Sequence, residues 1–182
     1  MIPSNSKPET TPLSFERGRG VYQFEIIRNL AHVVVKVGEG ADRTDVILRL
    51  LRVLADAEVP IFLIKLHRTA VTFAVEHQFM ERTEQCLSTI PGGYASRTDL
   101  VMITLVAASM RDLNDIAVNI ADSLQRAGTR LLGIGDSHNT VQCLIEAGHL
   151  DATLRELGAT FHIDESAWLE SSSDNGKENL DA

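Results

Sequence analysis

The feature that most constrains this chain is an internal repeat at an offset of 70 positions. Similar residues recur at this spacing, with no gap between the first and the third predicted strand of each half. The matched pairs are Asp45 with Asp115, Val46 with Ile116, Leu54 with Leu124, Ala57 with Ala127, Ile64 with Ile134, Val71 with Val141 and Val75 with Ile145. A repeat of this length predicts two copies of one supersecondary unit.

Hydropathy patterns predict the elements of the first half. The β-branched run at 31–37 predicts a strand, and GEGAD at 38–42 predicts a loop. An apolar stripe at helical spacing predicts a helix over 43–57, formed by Val46, Leu50, Val53, Leu54 and Ala57. Strands are predicted at 59–66 and 69–75 and a helix at 77–89, before a break at 91–93.

The same order of elements is predicted for the second half. A strand is expected at 100–108, then a loop at 109–113 and a helix over 114–127. The helical stripe there consists of Ile116, Ile120, Ala121, Leu124 and Ala127. Further elements are expected as strands at 130–134 and 140–147, a helix at 149–158 and a final strand at 159–163.

The two halves together predict an α+β fold of two tandem ferredoxin-like βαββαβ units with antiparallel sheets. The units are expected at 21–95 and 96–164, between a flexible N-terminal tail at 1–20 and an acidic flexible tail at 165–182. In such a unit the helices cover one face of the sheet and leave the other open, so the two units are expected to pack either sheet to sheet or edge to edge.

Composition excludes several classes of partner. The net charge of −8 over 182 residues argues against nucleic acid, which requires a basic surface. No apolar run approaches the roughly 20 residues of a membrane span, and the polar N-terminus does not resemble a secretory signal. Two distant cysteines and scattered histidines match no metal site. We therefore expect a cytoplasmic protein without metal or cofactor.

Two segments resemble a known family. DRTDVILRLLRVLADAEVPIFLI, from Asp42 to Ile64, is similar to the DRPGV…LADAGINVDMI signature of the first ACT domain of aspartate kinases. SMRDLNDIAVNIADSLQRAGTRLLGIGDSHNTVQCLIE is similar to the signature of their second ACT domain, and both occur in the same order and spacing. The resemblance covers roughly residues 20–164 and implies tandem ACT domains without the kinase domain.

In that family, an amino acid binds where the loop after the first strand meets the first helix. The resemblance therefore implies a ligand site at this junction in each half. The candidate ligand-binding residues are Asp42, Arg43, Asp45, Val46, Met110, Arg111, Asp112, Asn114, Asp115, Ile116 and Arg130.

The chain departs from the family pattern at the junction itself. The Pro-Gly pair of the first signature is Thr44-Asp45, and that of the second is Asn114-Asp115. A carboxylate there would repel the α-carboxylate of an amino acid, which leaves a cationic or amine ligand, or no ligand, as alternatives. Each aspartate is equally suited to begin a helix, because its charge complements the helix dipole.

Three further residues have alternative roles. Arg111 and Asp112 could contact a ligand or a partner subunit, or could form a solvated pair in the loop. Arg130 could neutralise either a ligand carboxylate or Asp115.

The resemblance implies a regulatory, non-catalytic protein that senses an amino acid or a related amine. The expected partners are such an effector, a second copy of the chain in a homodimer, and a separate enzyme subunit. The alternative is a dimerisation or protein-interaction module derived from an ACT pair that binds no ligand.

Overall fold

The computed structural model describes residues 20–40, 42–108 and 113–170. Besides single-turn 3-10 helices at 77–79, 147–149 and 165–167, four α-helices and seven strands follow one another along this part of the chain. They are β1 (Val21–Lys36), α1 (Arg43–Asp56), β2 (Ile61–Leu66), β3 (Ala70–Glu76), α2 (Met80–Leu87), β4 (Tyr94–Ala107), α3 (Leu113–Arg126), β5 (Gly133–Asp136), β6 (Thr140–Glu146), α4 (Leu150–Phe161) and β7 (Trp168–Glu170).

The strands form one continuous sheet in the order β2-β3-β1-β4-β6-β5. Neighbouring strands on this path are antiparallel, and β7 adds to β1 in parallel. The long strands β1 and β4 lie at the centre, and each pairs with elements of both halves. The fold is therefore a mixed α/β structure built on an antiparallel sheet.

The pairing of β1 with β4 shows an internal two-fold symmetry. Leu30 pairs with Leu100, its counterpart 70 positions later. On one side of this pair Ile26 faces Ile103, and on the other Val33 faces Ser96, which are the equivalent positions with the halves exchanged. The repeat of the sequence thus becomes a symmetry of the structure about the Leu30–Leu100 pair.

The regular backbone of each central strand is interrupted near this symmetry point. Asn29 has a backbone φ of 57° and its counterpart Asp99 a φ of 58°, a left-handed conformation that Asn and Asp tolerate better than most residues. Register shifts flank Leu30, so the strands are bulged there, as is typical where a sheet bends.

Helices cover one face of each half of the sheet and enclose two separate cores. In the first half, α1 and α2 pack on Val33, Val35, Phe73 and their neighbours. In the second half, α3 and α4 pack on a corresponding set from β4 and β6, joined by Phe24 and Ile26 of β1.

A third core lies between the faces of the sheet that no helix covers. Leu30, Ala74, Leu100, Met102 and Leu144 form it. These residues belong to both halves, so the uncovered faces of the two halves pack against each other.

The two edge strands β2 and β5 meet at this inner packing. A side chain on Gly135 would lie 2.6 Å from Leu63 Cδ2, and one on Gly133 would lie 3.6 Å from Leu63 Cδ1. The absence of a side chain at Gly133 and at Gly135 thus makes room for Leu63. Its backbone has a φ of 50° within an irregular stretch of β2.

The apolar stripe predicted for α1 is confirmed. Leu50 and Leu54 are buried, and Val46, Val53 and Ala57 pack partly buried around them. Ile47 is also buried, although it was not included in the predicted stripe.

The stripe predicted for α3 is correct for Ile116, Ile120 and Leu124, which are buried. The prediction for Ala121 is wrong, because that residue is exposed. Ser123, two residues later on α3, is buried although it is polar. Its hydroxyl lies 2.7 Å from Asn119 O, as a donor, and 2.9 Å from the hydroxyl of Thr160, which satisfies the buried polar group.

Several predicted boundaries in the second half are wrong. The helix predicted to end at residue 158 continues to Phe161, so residues 159–163 do not form a strand. The strand predicted at 130–134 begins instead at Gly133. β1 and β4 also begin earlier than the strands predicted at 31–37 and 100–108.

The C-terminal segment up to Glu170 is part of the fold, so the prediction of a flexible tail is wrong for residues 165–170. Trp168 pairs with Phe24 across β7 and β1, and the two rings stack with centroids 6.5 Å apart. Gly158 lies beneath the indole, where a Cβ would lie 3.3 Å from Trp168 Cζ2 and 2.9 Å from Ile163 O. The absence of a side chain at Gly158 therefore allows the indole of Trp168 to pack directly against α4.

Candidate functional site

The start of α1 forms the predicted junction of the first half. Asp42 precedes the helix and is exposed. Its carbonyl oxygen accepts the first helical hydrogen bond, from Val46 N at 3.0 Å, but its side chain does not cap the helix. The first-turn amides are thus left without a side-chain acceptor from Asp42.

Arg43 ties the start of α1 to the turn between β2 and β3. Its Nε donates to Arg68 O at 3.0 Å, and its Nη2 donates to His67 O at 2.6 Å. Hydrogen bonds from a charged group to carbonyl oxygens are stronger than neutral ones. The guanidinium therefore fixes the start of α1 relative to the β2–β3 turn.

Asp45 and Val46 differ in accessibility. Asp45 lies in the first turn and is exposed, and its side chain makes no hydrogen bond or ion pair to another described residue. Val46 is partly buried against the core of the first half. Of these two residues, Asp45 is the one that can contact a ligand with its functional group.

The junction of the second half is described only in part. Met110, Arg111 and Asp112 lie outside the described residues. Asn114 and Asp115 lie in the first turn of α3, where Asp115 is exposed. Ile116 is a buried core residue with 7% exposure, so its role is in packing.

Arg130 does not lie on the strand where it was expected. It is exposed in the segment between α3 and β5, and no ion pair joins it to Asp115 among the described residues. Neutralisation of Asp115 by Arg130 is therefore not seen.

Among the described residues, cavities lie outside the two predicted junctions. One of them, of about 600 Å³, is lined by Ile27, Arg28, Asn29, Glu76, His77, Gln78 and Glu170; we call it the Glu76 cavity. A second, of about 490 Å³, is lined by Ser96, Arg97, Thr98, Asp99, Glu146 and Gly148; we call it the Glu146 cavity. None of these lining residues is among the candidate ligand-binding residues predicted from the sequence.

The third cavity lies between the two inner sheet faces and has a volume of about 270 Å³. His32 and His67 line it together with Leu63 and Leu144. Burial lowers the pKa of His32, and the nearby His67 lowers it further. This mostly apolar cleft thus keeps His32 neutral to a lower pH than usual.

The remaining titratable and metal-binding features are few. Burial raises the pKa of the Cys143 thiol to about 12, so this thiol is not poised for nucleophilic chemistry. Among residues 20–40, 42–108 and 113–170, no group of three or more His, Cys, Asp or Glu side chains could hold a metal ion. No helix in the described part of the chain is long and apolar enough to cross a membrane.

The fold matches solved structures of aspartate kinases and of their regulatory subunits. No model of a protein family matches the sequence, and no curated protein does. The regulatory subunit of aspartate kinase from Thermus thermophilus, in its ligand-free form, superposes with a TM-score of 0.70 at 17% identity. That match covers 79% of this chain and 99% of the subunit.

Two further structures agree. A structure of aspartokinase alpha and beta subunits gives a TM-score of 0.71 at 21% identity, covering 79% of this chain and 99% of the matched chain. Escherichia coli aspartokinase III, in complex with lysine and aspartate, gives a TM-score of 0.61 at 11% identity. That last match covers 80% of this chain but 34% of the enzyme. The chain therefore has the ACT-type fold of an aspartate kinase regulatory subunit.

Proposed function

We propose that this chain is a non-catalytic regulatory protein of the aspartokinase type that senses an amino acid or a related amine. The observation that carries the proposal is the extent of the structural match, which reaches 99% of a regulatory subunit of aspartate kinase. A fold by itself does not define a function, so the proposal also rests on the accessible carboxylates at the two junctions.

The architecture that supports this role is a pair of tandem ferredoxin-like ACT units, at 21–95 and 96–164. The strand order β2-β3-β1-β4 is that of a ferredoxin-like sheet, and β1-β4-β6-β5 repeats it in the second half. In the second unit, residues 21–27 of β1 take the position of the fourth strand, beside β4. Each unit thus depends on a strand that also serves the other.

The effector would bind at the loop–helix junctions. Asp45 and Asp115 are exposed in the first turns of equivalent helices, and their carboxylates favour a cationic nitrogen on the ligand. The first-turn amides favour an anionic group. A ligand with an amine therefore fits this pair of features, and lysine is one of the ligands in the aspartokinase III structure.

A thermal-shift screen of the full chain against amino acids and simple amines tests the proposal. A ligand that binds only the folded state raises the melting temperature. For any ligand found, Asp45→Asn and Asp115→Asn should weaken binding at least tenfold. The control is Glu81→Gln, an exposed first-turn carboxylate on α2, which should leave binding unchanged. Equal effects of all three substitutions would contradict the assignment to the junctions.

The partners that we propose are a second copy of the chain and a separate enzyme subunit in the cytoplasm. The edge strand β2 exposes Ile64 at 43% and Leu66 at 60%, and an uncovered apolar edge favours pairing with another chain. Sedimentation analysis should show a dimer that Leu66→Glu dissociates. The matched substitution Leu169→Glu, at an apolar residue of β7 with 47% exposure, should not dissociate it.

One observation favours the alternative, a dimerisation module that binds no ligand. Arg43 already uses its guanidinium to close the first junction against the β2–β3 turn. If no compound raises the melting temperature and Leu66→Glu still dissociates a dimer, the alternative replaces the sensor.

A further inference from the structure

The Glu76 cavity contains a carboxylate that lacks a partner for one of its oxygens. Glu76 Oε2 accepts a hydrogen bond from Gln78 Nε2 at 2.7 Å. Glu76 Oε1 is buried and has no hydrogen-bond partner among the described residues. A buried polar atom without a partner is unfavourable, so this oxygen marks a place where a donor would stabilise the protein.

The other half of the molecule shows which donor fits this place. Glu146 is the counterpart of Glu76 at the offset of 70 positions, and it lies in the Glu146 cavity. There, Arg97 Nη2 donates to Glu146 Oε1 at 2.6 Å and forms an ion pair with it. The second half thus supplies its own guanidinium to this carboxylate.

The first half cannot do the same, because Ile27 stands at the position of Arg97. Ile27 pairs with Met102 in the sheet, and Arg97 pairs with His32, which are the same pairing with the halves exchanged. Both residues line their cavities. The two cavities are therefore equivalent in backbone geometry, but one of them lacks its cation.

The remaining charges of the Glu76 cavity leave this carboxylate uncompensated. Arg28 is the arginine that lines the cavity, and it is paired with Glu170 through Nη2 and Oε1 at 2.8 Å. The lining consequently carries a net negative charge, which attracts a cation.

We propose that the Glu76 cavity binds a small organic cation with a guanidinium or ammonium group. This group takes the position beside Glu76 Oε1 that the Arg97 guanidinium holds beside Glu146. The site shares no lining residue with the two loop–helix junctions, so it stands independently of the function proposed above.

Calorimetric titration of the full chain with arginine, agmatine and lysine tests the proposal. Citrulline and norleucine, whose side chains carry no charge, serve as neutral analogues similar in size to arginine and lysine. The cations should bind in a 1:1 ratio to the monomer chain, more weakly at high salt, and the neutral analogues should bind at least tenfold more weakly. Failure of every cation to bind, or equal binding of the neutral analogues, overturns the proposal.

Substitutions within the repeat locate the site. Glu76→Gln, which keeps the size of the side chain, should weaken binding at least tenfold, whereas the matched Glu146→Gln should not change it. Ile27→Arg should abolish binding, since it copies the ion pair of the other half. Arg97→Leu should add a second binding equivalent, because it leaves Glu146 in the condition of Glu76. Binding that is unaffected by Glu76→Gln overturns the assignment.

The same titrations separate this site from the junctions. Asp45→Asn and Asp115→Asn should leave cation binding at the Glu76 cavity unchanged. If these two substitutions remove the binding and Glu76→Gln does not, the cation binds at the junctions; that outcome overturns this inference and supports the proposed function.

Discussion

Replacement of Trp168 by alanine tests whether the C-terminal strand is part of the folded structure. The indole is partly buried, stacks on Phe24 and contacts the helix at Gly158. An aromatic side chain buries roughly 150–250 Å², which at about 25 cal/mol per Å² corresponds to about 4–6 kcal/mol. This range is an upper bound for Trp168, because part of its surface remains exposed.

A second feature lowers the expected loss. Trp168 Nε1 is buried and has no hydrogen-bond partner among the described residues, so its removal relieves an unfavourable group worth about 1–3 kcal/mol. The two effects together predict that Trp168→Ala lowers the free energy of unfolding by about 1–5 kcal/mol. Trp168→Phe keeps the stacking on Phe24 and removes the unpaired N–H, so its loss should stay within about 1 kcal/mol.

Urea denaturation followed by circular dichroism measures both variants. Trp168 is also the only tryptophan of the chain, so its fluorescence in the wild type should be blue-shifted relative to the unfolded protein. If Trp168→Ala unfolds within about 0.5 kcal/mol of the wild type, which is the usual range for an exposed residue, β7 does not pack as described. The wall that Glu170 adds to the Glu76 cavity would then be lost as well.

Three further predictions concern single residues. Gly92→Ala should cost about 3 kcal/mol of unfolding free energy in urea titrations, since Gly92 has a φ of 106° and a Cβ there would overlap the carbonyl oxygen of Lys36. Gly93→Ala, at a φ of 77° with no atom near the new Cβ, should cost about 1 kcal/mol; equal losses would refute the overlap. Cys143, whose pKa burial raises to about 12, should resist alkylation at pH 8 in the native protein and react after unfolding, as mass spectrometry would show. Its contribution to stability is present below the usual pKa of 9.0 and is lost as the pH rises toward 12. Burial lowers the pKa of His32 from 6.5, so the unfolded chain binds more protons and stability should fall as the pH drops below 6.5. His32→Gln should flatten this part of the pH profile, and an unchanged slope would exclude His32 as its source.

The local elements could be derived from the sequence because they depend on spacing within a short window. The 70-residue repeat predicted that the halves share one pattern, and α1 and α3 begin at Arg43 and Leu113, 70 positions apart. The apolar stripes located the helices with errors of a few residues. A strand was wrongly predicted at residues 159–163, where α4 continues to Phe161 through residues that have strand-like composition.

The repeat in the sequence also predicted where the two candidate junctions lie, but it predicted only part of their contacts. Asp45 and Asp115 lie at equivalent helix starts, as the repeat required. The engagement of Arg43 by the β2–β3 turn depends on residues 24 and 25 positions away. No local pattern announces such a contact.

What the sequence determined by itself is the repeat, the order of the helices and strands, and the fold class. What only the tertiary structure decided is how the halves are joined. One sheet runs through both halves, and β7 pairs with its central strand β1. Ile27 occupies the position equivalent to Arg97, so Glu76 lacks the ion pair that Arg97 forms with Glu146. The reason is physical: helical and strand periodicity are properties of neighbouring residues, whereas a buried charge is satisfied or left unpaired by groups brought together from distant parts of the chain.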